Sequence, residues 1–245
     1  MTGISSAGLG QIQANYQRVL ERIHTAAKRS GRDPDLVQLV VVTKTYPVVA
    51  IREVLAAGGR NLGENYAEEA EAKILELADE ADIHWHMIGH VQSRKARLVS
   101  QYFSCLHSLD SAKLARRLGA FCGEFGRRLP VFIEINVSGE ASKSGLPAWE
   151  EENWTQLLPV IQEMVETPNL SIIGLMTMPP FSSDPEHSRP YYEKLIRLRD
   201  FLAAEFTHLD WEELSMGMSS DFEIAVENGA TWVRIGQAIL GPRES

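Results

Sequence analysis

Lys44 stands at the end of an apolar run, Val40-Val41-Val42-Thr43, where a strand gives way to the loop Thr45-Tyr46-Pro47. An amine placed there is partly desolvated, which disfavours the ammonium form and frees a nucleophile able to condense with an aldehyde. The plain alternative is a solvated lysine at a loop start, the usual fate of such a residue. A second chemistry lies near the C-terminus. In SMGMSSD (215–221), Ser219 and Ser220 precede a helix start and Gly217 lets the backbone come close. The free N–H groups and positive dipole end of a helix start suit an anion. Gly236 in RIG (234–236) offers backbone donors at the next strand end. Each junction alone reads as a serine cap or a tight turn; two at adjacent strand ends point to a phosphate. Arg234 adds a cation that only donates. Against a pyridine nitrogen it keeps that nitrogen unprotonated, which makes the ring a poor electron sink. A carboxylate partner at a rim is the other reading of Arg234. Amine, phosphate cradle and arginine together span a cofactor-sized gap.

Other residues carry less. His84 and His86 share one face of a strand, but no carboxylate or cysteine stands at ligand spacing, so no metal is expected. Cys105 lies in an apolar strand and reads as core. Met176, Met178, Met216 and Met218 are candidates to line a pocket, and methionine is also ordinary core filling. Lys143 in SKSG reads as a solvated loop amine.

Positioning such groups takes alternating strands and helices. An amphipathic first helix carries Ile12, Tyr16, Val19, Leu20, Ile23 and Ala27 and stops at Gly31 and Pro34. Strands are predicted over 37–43, near 61–63, over 84–89, 104–109, 129–137 and 170–176, and more weakly around 213–216 and 231–235. Helices follow them: Pro47 to Gly58, Ala67–Ala78, from Ser93, after an Asp110 or Ser111 cap, from Trp154 to Val165 with a bend at Pro159, Tyr191 to Phe206, and Ser220 to Glu227. Eight strand–helix units suit a closed (β/α)8 TIM-type barrel, with active groups at the C-terminal strand ends. An open doubly wound sheet is the alternative, although the first strand–helix turn lacks its usual GxGxxG. Residues 1–10, small and Gly/Ser-rich, read as a flexible arm, and 11–245 as one barrel domain.

The 245 residues are 44% hydrophobic and 23% charged, with net charge −9. That balance fits a globular domain and argues against nucleic-acid or anionic-membrane binding. Two cysteines without a CxxC spacing suit a reducing compartment. MTGISSAGLGQ lacks the pattern of a signal peptide, and no apolar run reaches the roughly 20 residues of a membrane span. A cytoplasmic protein is expected.

Taken together and in order, VVTKTYP, LGENYAEE, HWHMIGHVQSRK, NVSGEASKSG, GLMTMPP and LSMGMSSDFEIAVENGATWVRIGQAILG resemble the pyridoxal phosphate homeostasis proteins. The resemblance implies an α/β barrel like the N-terminal domain of alanine racemase, the fold type III arrangement, with the extra N-terminal helix and without the C-terminal β-domain. It implies pyridoxal 5′-phosphate (PLP) as cofactor, held as a Schiff base on Lys44. Asn65 of GEN lies near the ring, Ser219 and the Gly236 backbone hold phosphate, and Arg234 faces the pyridine nitrogen. Met216 and Gln237 complete the expected binding set. Gln237 stands where threonine is common, which removes a hydroxyl contact to phosphate.

The resemblance favours a PLP-binding homeostasis protein without robust turnover, and no catalytic residues are assigned. The alternative is a small fold type III enzyme such as an amino-acid racemase. That chemistry needs two positioned acid/base groups, and no second one stands out beside Lys44, although Tyr46 and Tyr66 stay open. A cofactor-free Schiff-base aldolase would leave Arg234 unexplained. Expected partners are PLP and apo-forms of PLP enzymes, with the chain itself a monomer.

Overall fold

Eight parallel strands are drawn from short β-branched or aliphatic runs buried on both faces, as a closed parallel sheet requires. The structure, a computed structural model, describes residues 6–242, with side chains from Gly10 onward. The strands are β1 (Gln38–Val42), β2 (Asn61–Glu64), β3 (His84–Met87), β4 (Cys105–Leu109), β5 (Leu129–Asn136), β7 (Leu170–Met176), β8 (Glu213–Ser215) and β9 (Trp232–Ile235). They pair in the order β4-β3-β2-β1-β9-β8-β7-β5, and β4 also pairs with β5. That last pairing closes the ring and removes the open-sheet alternative. β6 (Leu146–Pro147) is a two-residue strand that the sequence reading omitted; it lies beside the end of β5.

The outer layer holds α1 (Ser6–Arg29), α2 (Val48–Ala56), α3 (Ala67–Glu76), α4 (Ala96–Tyr102), α5 (Ala112–Glu124), α6 (Leu158–Val165), α7 (Arg189–Glu205), α8 (Phe222–Glu227) and α9 (Gln237–Leu240). The first helix starts at Ser6 and so takes in half of the segment read as an arm; residues 1–5 of that segment lie outside the described residues. Its buried stripe, Ile12, Tyr16, Val19, Ile23 and Ala27, packs against α2, α8 and α9. The helix expected from Trp154 is two pieces: a 3-10 turn, Glu151–Leu157, and then α6. Pro159 sits in the first turn of α6, where its missing N–H costs nothing, so it starts a helix rather than bending one. Ser111 caps α5 by accepting from the Leu114 N–H at 3.4 Å.

Strand alternation sorts the side chains. On β1, Val42 and then Lys44 face the barrel interior, whereas Val41 and Thr43 face the helices. On β9, Trp232 and Arg234 face inward. On β5, Phe132 and Glu134 do. Every residue at the mouth inherits its direction from this parity.

Candidate functional site

The barrel floor sets the position of Arg234. His86 on β3 and His107 on β4 meet through Nδ1 and Nε2 at 2.9 Å. The other His86 nitrogen lies 3.2 Å from Asn61 Oδ1, and the other His107 nitrogen 2.7 Å from Ser215 Oγ. Burial pushes the His86 pKa down to about 3, with His84 adding to the effect, and drives His107 well below its ordinary value. Both rings are therefore neutral, and one direction of donation satisfies the chain. Asn61 Oδ1 accepts, so His86 Nε2 donates and its Nδ1 accepts from His107 Nε2. His107 Nδ1 then accepts from the Ser215 hydroxyl, whose oxygen accepts from Arg234 Nη1. Arg234 Nη2 donates to the Thr177 carbonyl at 3.0 Å. Arg234 is 4% exposed. Among the described residues it has no carboxylate at ion-pair distance, so the rim-pair reading fails.

Cys105 joins His86 and His107 in a buried group whose ligand atoms lie within 4.8 Å of one another. The ring nitrogens are already spent on the relay, and burial raises the Cys105 thiol far above its ordinary value. Phe132 stacks on His107 at 4.5 Å between centroids and fills the rest of this layer.

Above the relay a cavity of about 370 Å³ opens at the C-terminal strand ends, lined by Lys44, Asn65, Glu134, Ser219, Arg234 and Gln237 among others. That volume is in the range of small-molecule sites. Gly236 lines it too, and a Cβ there would come within 3.2 Å of Val42. Gly217 has φ +96°, and a Cβ would lie 2.6 Å from the Ala225 methyl. The Gly217 loop therefore needs glycine, and Gly236 lies in close contact with Val42. The Ser219 hydroxyl accepts from the Ala238 N–H at 3.3 Å and ties the two loops together. Asp221 anchors the same loop: it accepts from Ser188 at 2.7 Å, Tyr192 at 2.8 Å and the Met218 N–H at 2.8 Å. The helix after Ser220 has only six residues, so its dipole adds less than expected; anion-holding capacity rests on Ser219, Ser220 and the backbone at Gly236.

Six of the seven residues expected at the site share this cavity: Lys44, Asn65, Ser219, Arg234, Gly236 and Gln237. Met216 does not line it. Strand parity turns Met216 out of the barrel, where it is fully buried beneath the helices, and Met218 takes the lining place. Lys143 differs from the solvated loop amine expected: its Nζ donates to the Met178 carbonyl at 2.7 Å and the Pro179 carbonyl at 2.5 Å, pinning the loop after β5 to the loop after β7.

The sequence reading missed a cluster behind Lys44. Lys73 on α3 donates to Glu64 Oε1 at 2.8 Å, Glu69 Oε1 at 2.7 Å and the Thr43 carbonyl at 2.8 Å. The Thr43 hydroxyl donates to Glu64 at 2.7 Å, and Glu69 accepts from the Thr45 N–H at 2.6 Å. Thr45 has φ +67°, a left-handed conformation that costs a β-branched residue about 1–2 kcal/mol. The cluster thus grips the backbone on both sides of Lys44 and holds a strained turn that sends its half-buried side chain over the cavity. Burial raises the Glu64 pKa, opposed by Lys73 and Thr43. Glu134 was missed as well: it is 3% exposed in the cavity wall, and burial, with Asp110 adding to it, raises its pKa to about 7 against the pull of Arg234 and His90. A larger hollow of about 440 Å³ lies outside the barrel by α5 and α6 and holds the exposed Arg116–Glu163 pair.

Residues 9–244 match the family model for the alanine racemase N-terminal domain. The pyridoxal phosphate homeostasis protein of Pseudomonas aeruginosa is 42% identical over 238 residues, 96% of this chain and 97% of that one. The Vibrio alginolyticus protein of the same name is 40% identical over 239 residues, 96% and 99% of the two chains. PipY of Synechococcus elongatus, solved with PLP bound, is 36% identical, with TM-score 0.76 over 91% of this chain and 100% of its own. Alanine racemase of Clostridium difficile shares the fold at 14% identity and TM-score 0.67, over 95% of this chain and 58% of its own.

Proposed function

The chain belongs to the pyridoxal phosphate homeostasis proteins, within the alanine racemase N-terminal domain family, and from that premise we propose that it binds PLP through Lys44 and keeps it available within the cell. The observation that carries the reading is the gathering of Lys44, Arg234, Ser219 and Gly236 around one cavity of cofactor size. PLP bound to a relative 36% identical supports the same ligand here.

When bound, PLP supplies an aldehyde that an amine attacks with loss of water, a phosphate dianion and a pyridine ring. The residues of this chain fit those three parts. Lys44 is the amine, aimed by the Thr43–Lys73–Glu69 grip on its flanking backbone. Ser219, Ser220 and the Gly236 backbone offer small donors to the phosphate. Arg234, held by Ser215 and Thr177, is the donor for the ring nitrogen. A cation there denies the ring its proton, which weakens it as an electron sink and favours holding over transforming. The near-full-length identity with the homeostasis proteins supports the same choice. The cavity opens at the barrel mouth, where apo-forms of PLP enzymes could collect the cofactor from a monomeric, cytoplasmic carrier.

Adding PLP to purified protein should develop a visible absorbance that Lys44→Ala fails to develop. Protein that stays colourless at saturating PLP contradicts the proposal. Rapid α-proton exchange of an amino acid in deuterated water would make it a racemase instead.

A further inference from the structure

Glu134 is a buried ionisable group of this cavity that the proposed function leaves unused. It stands two residues beyond Phe132 on β5, so its side chain points inward one layer nearer the mouth. It lines the cavity with Lys44 and Arg234, yet among the described residues Oε2 is buried without a hydrogen-bond partner. The basic side chains nearby do not bond that oxygen: Arg234 donates to Ser215 and Thr177, and His90 Nδ1 lies 2.9 Å from Asp110. An ionised carboxylate in that position would be a buried charge without its compensating bond, which folded proteins avoid by keeping the proton.

Each wall of the cavity contributes to the balance. Asp110, just past β4, disfavours a second negative charge, while Arg234 on β9 and His90 after β3 favour one. Lys44 faces the same space from the end of β1, and Met178, just past β7, faces it without a titratable group. Burial outweighs the attractions, so the carboxyl holds its proton to about pH 7. A protonated carboxyl is a donor as well as an acceptor.

We propose that Glu134 is a further binding residue of this site, whose protonated carboxyl donates a hydrogen bond to an anionic oxygen of the bound cofactor. The inference rests on the PLP reading, since PLP carries such an oxygen on its ring besides its phosphate. It gives the site a proton linkage. Below about pH 7 the donor is present; above it, a carboxylate faces an anionic ligand, and binding must first restore the proton. Affinity therefore falls as pH rises through about 7, and at pH 8 binding draws up to one proton from solution.

The test is a PLP titration, read by equilibrium dialysis and visible absorbance between pH 6 and 8.5, on the wild-type chain, Glu134→Gln and Glu134→Ala. Thermal melts of each variant check the fold. Phosphate ionisation and the condensation at Lys44 are common to all three, so the ratio of affinities isolates residue 134. Glu134→Gln keeps a donor at every pH. The wild type should lose affinity relative to it by about tenfold per pH unit well above pH 7, the limit for one linked proton. Glu134→Ala should bind weakly throughout, without that loss. Titration calorimetry at pH 8 in two buffers of different ionisation enthalpy should report proton uptake in the wild type that Glu134→Gln lacks. Identical pH profiles for wild type and Glu134→Gln, with equal proton uptake, overturn the inference while leaving PLP binding intact. Wild-type protein that takes up no PLP at any pH overturns the functional reading itself, and the inference with it.

Discussion

The floor and the mouth of this barrel treat buried polar groups in opposite ways. At the floor, Asn61, His86, His107, Ser215 and Arg234 form one relay in which each hydrogen bond has a partner and both imidazoles are neutral. At the mouth, Glu64 and Glu134 each leave one buried oxygen unpartnered among the described residues, and Thr45 is held in a left-handed turn. A satisfied polar network rigidifies a core, whereas unspent polar capacity and backbone strain collect where a ligand completes the structure. The floor fixes one arginine, and the mouth stays ready to receive. The two regions also fail differently when cut, which makes the contrast measurable.

The largest effect is expected from Lys73→Met, which strips the cluster behind Lys44. It leaves Glu64, wholly buried, without its cation, and removing one partner of a buried pair costs about 3–5 kcal/mol. Urea denaturation should show that loss, and PLP affinity should fall with it because the Thr45 turn loses its restraint. Adding Glu64→Gln should recover part of the stability. If Lys73→Met melts like the wild type, the mouth does not depend on this cluster.

His107→Ala breaks the floor. It leaves His86 Nδ1 without its donor, takes the acceptor from the Ser215 hydroxyl and opens a void beside Phe132, for about 2–3 kcal/mol. Its effect on PLP should run through Arg234, which loses the far end of its support, and not through Lys44. A thermal shift without any change in PLP affinity would show that the relay supports the fold alone.

Glu134→Gln is expected to stabilise the chain, and only as pH rises. The folded chain keeps the Glu134 proton to about pH 7, whereas an unfolded carboxyl loses it near 4.5. The stability that this proton binding supplies is full below 4.5 and is lost as pH rises through 7. Glu134→Gln should therefore match the wild type near pH 4 and exceed it by about 1–3 kcal/mol at pH 8, in the absence of PLP. A gap independent of pH would mean that the Glu134 carboxyl titrates alike in the folded and unfolded chain.

What could be read in the chain follows from how local each signal is. Lys44, Ser219, Arg234 and Gly236 sit at strand ends, and barrel geometry makes strand ends the place to look. Asn65 and Gln237 came from motif resemblance, because nothing in their own spacing marks them. Met216 was placed by its neighbourhood alone; counting parity from Ser215, which faces inward, would have turned it outward. The His86–His107 contact joins two strands 21 residues apart, so spacing along one strand suggested His84 as the partner instead. Lys73 looks like any lysine on a polar helix face until α3 is laid against β2. Glu134 was in principle visible: it interrupts the most continuous apolar strand of the chain, at an inward position.

The central claim is that Lys44 carries the cofactor, and the mass of the borohydride-reduced holoprotein tests it most directly. Reduction should fix one PLP per chain, and fragmentation should place it on the peptide containing Lys44. Reduced protein without added mass, or with the mass on Lys143 or another lysine while Lys44 stays unmodified, would contradict the account.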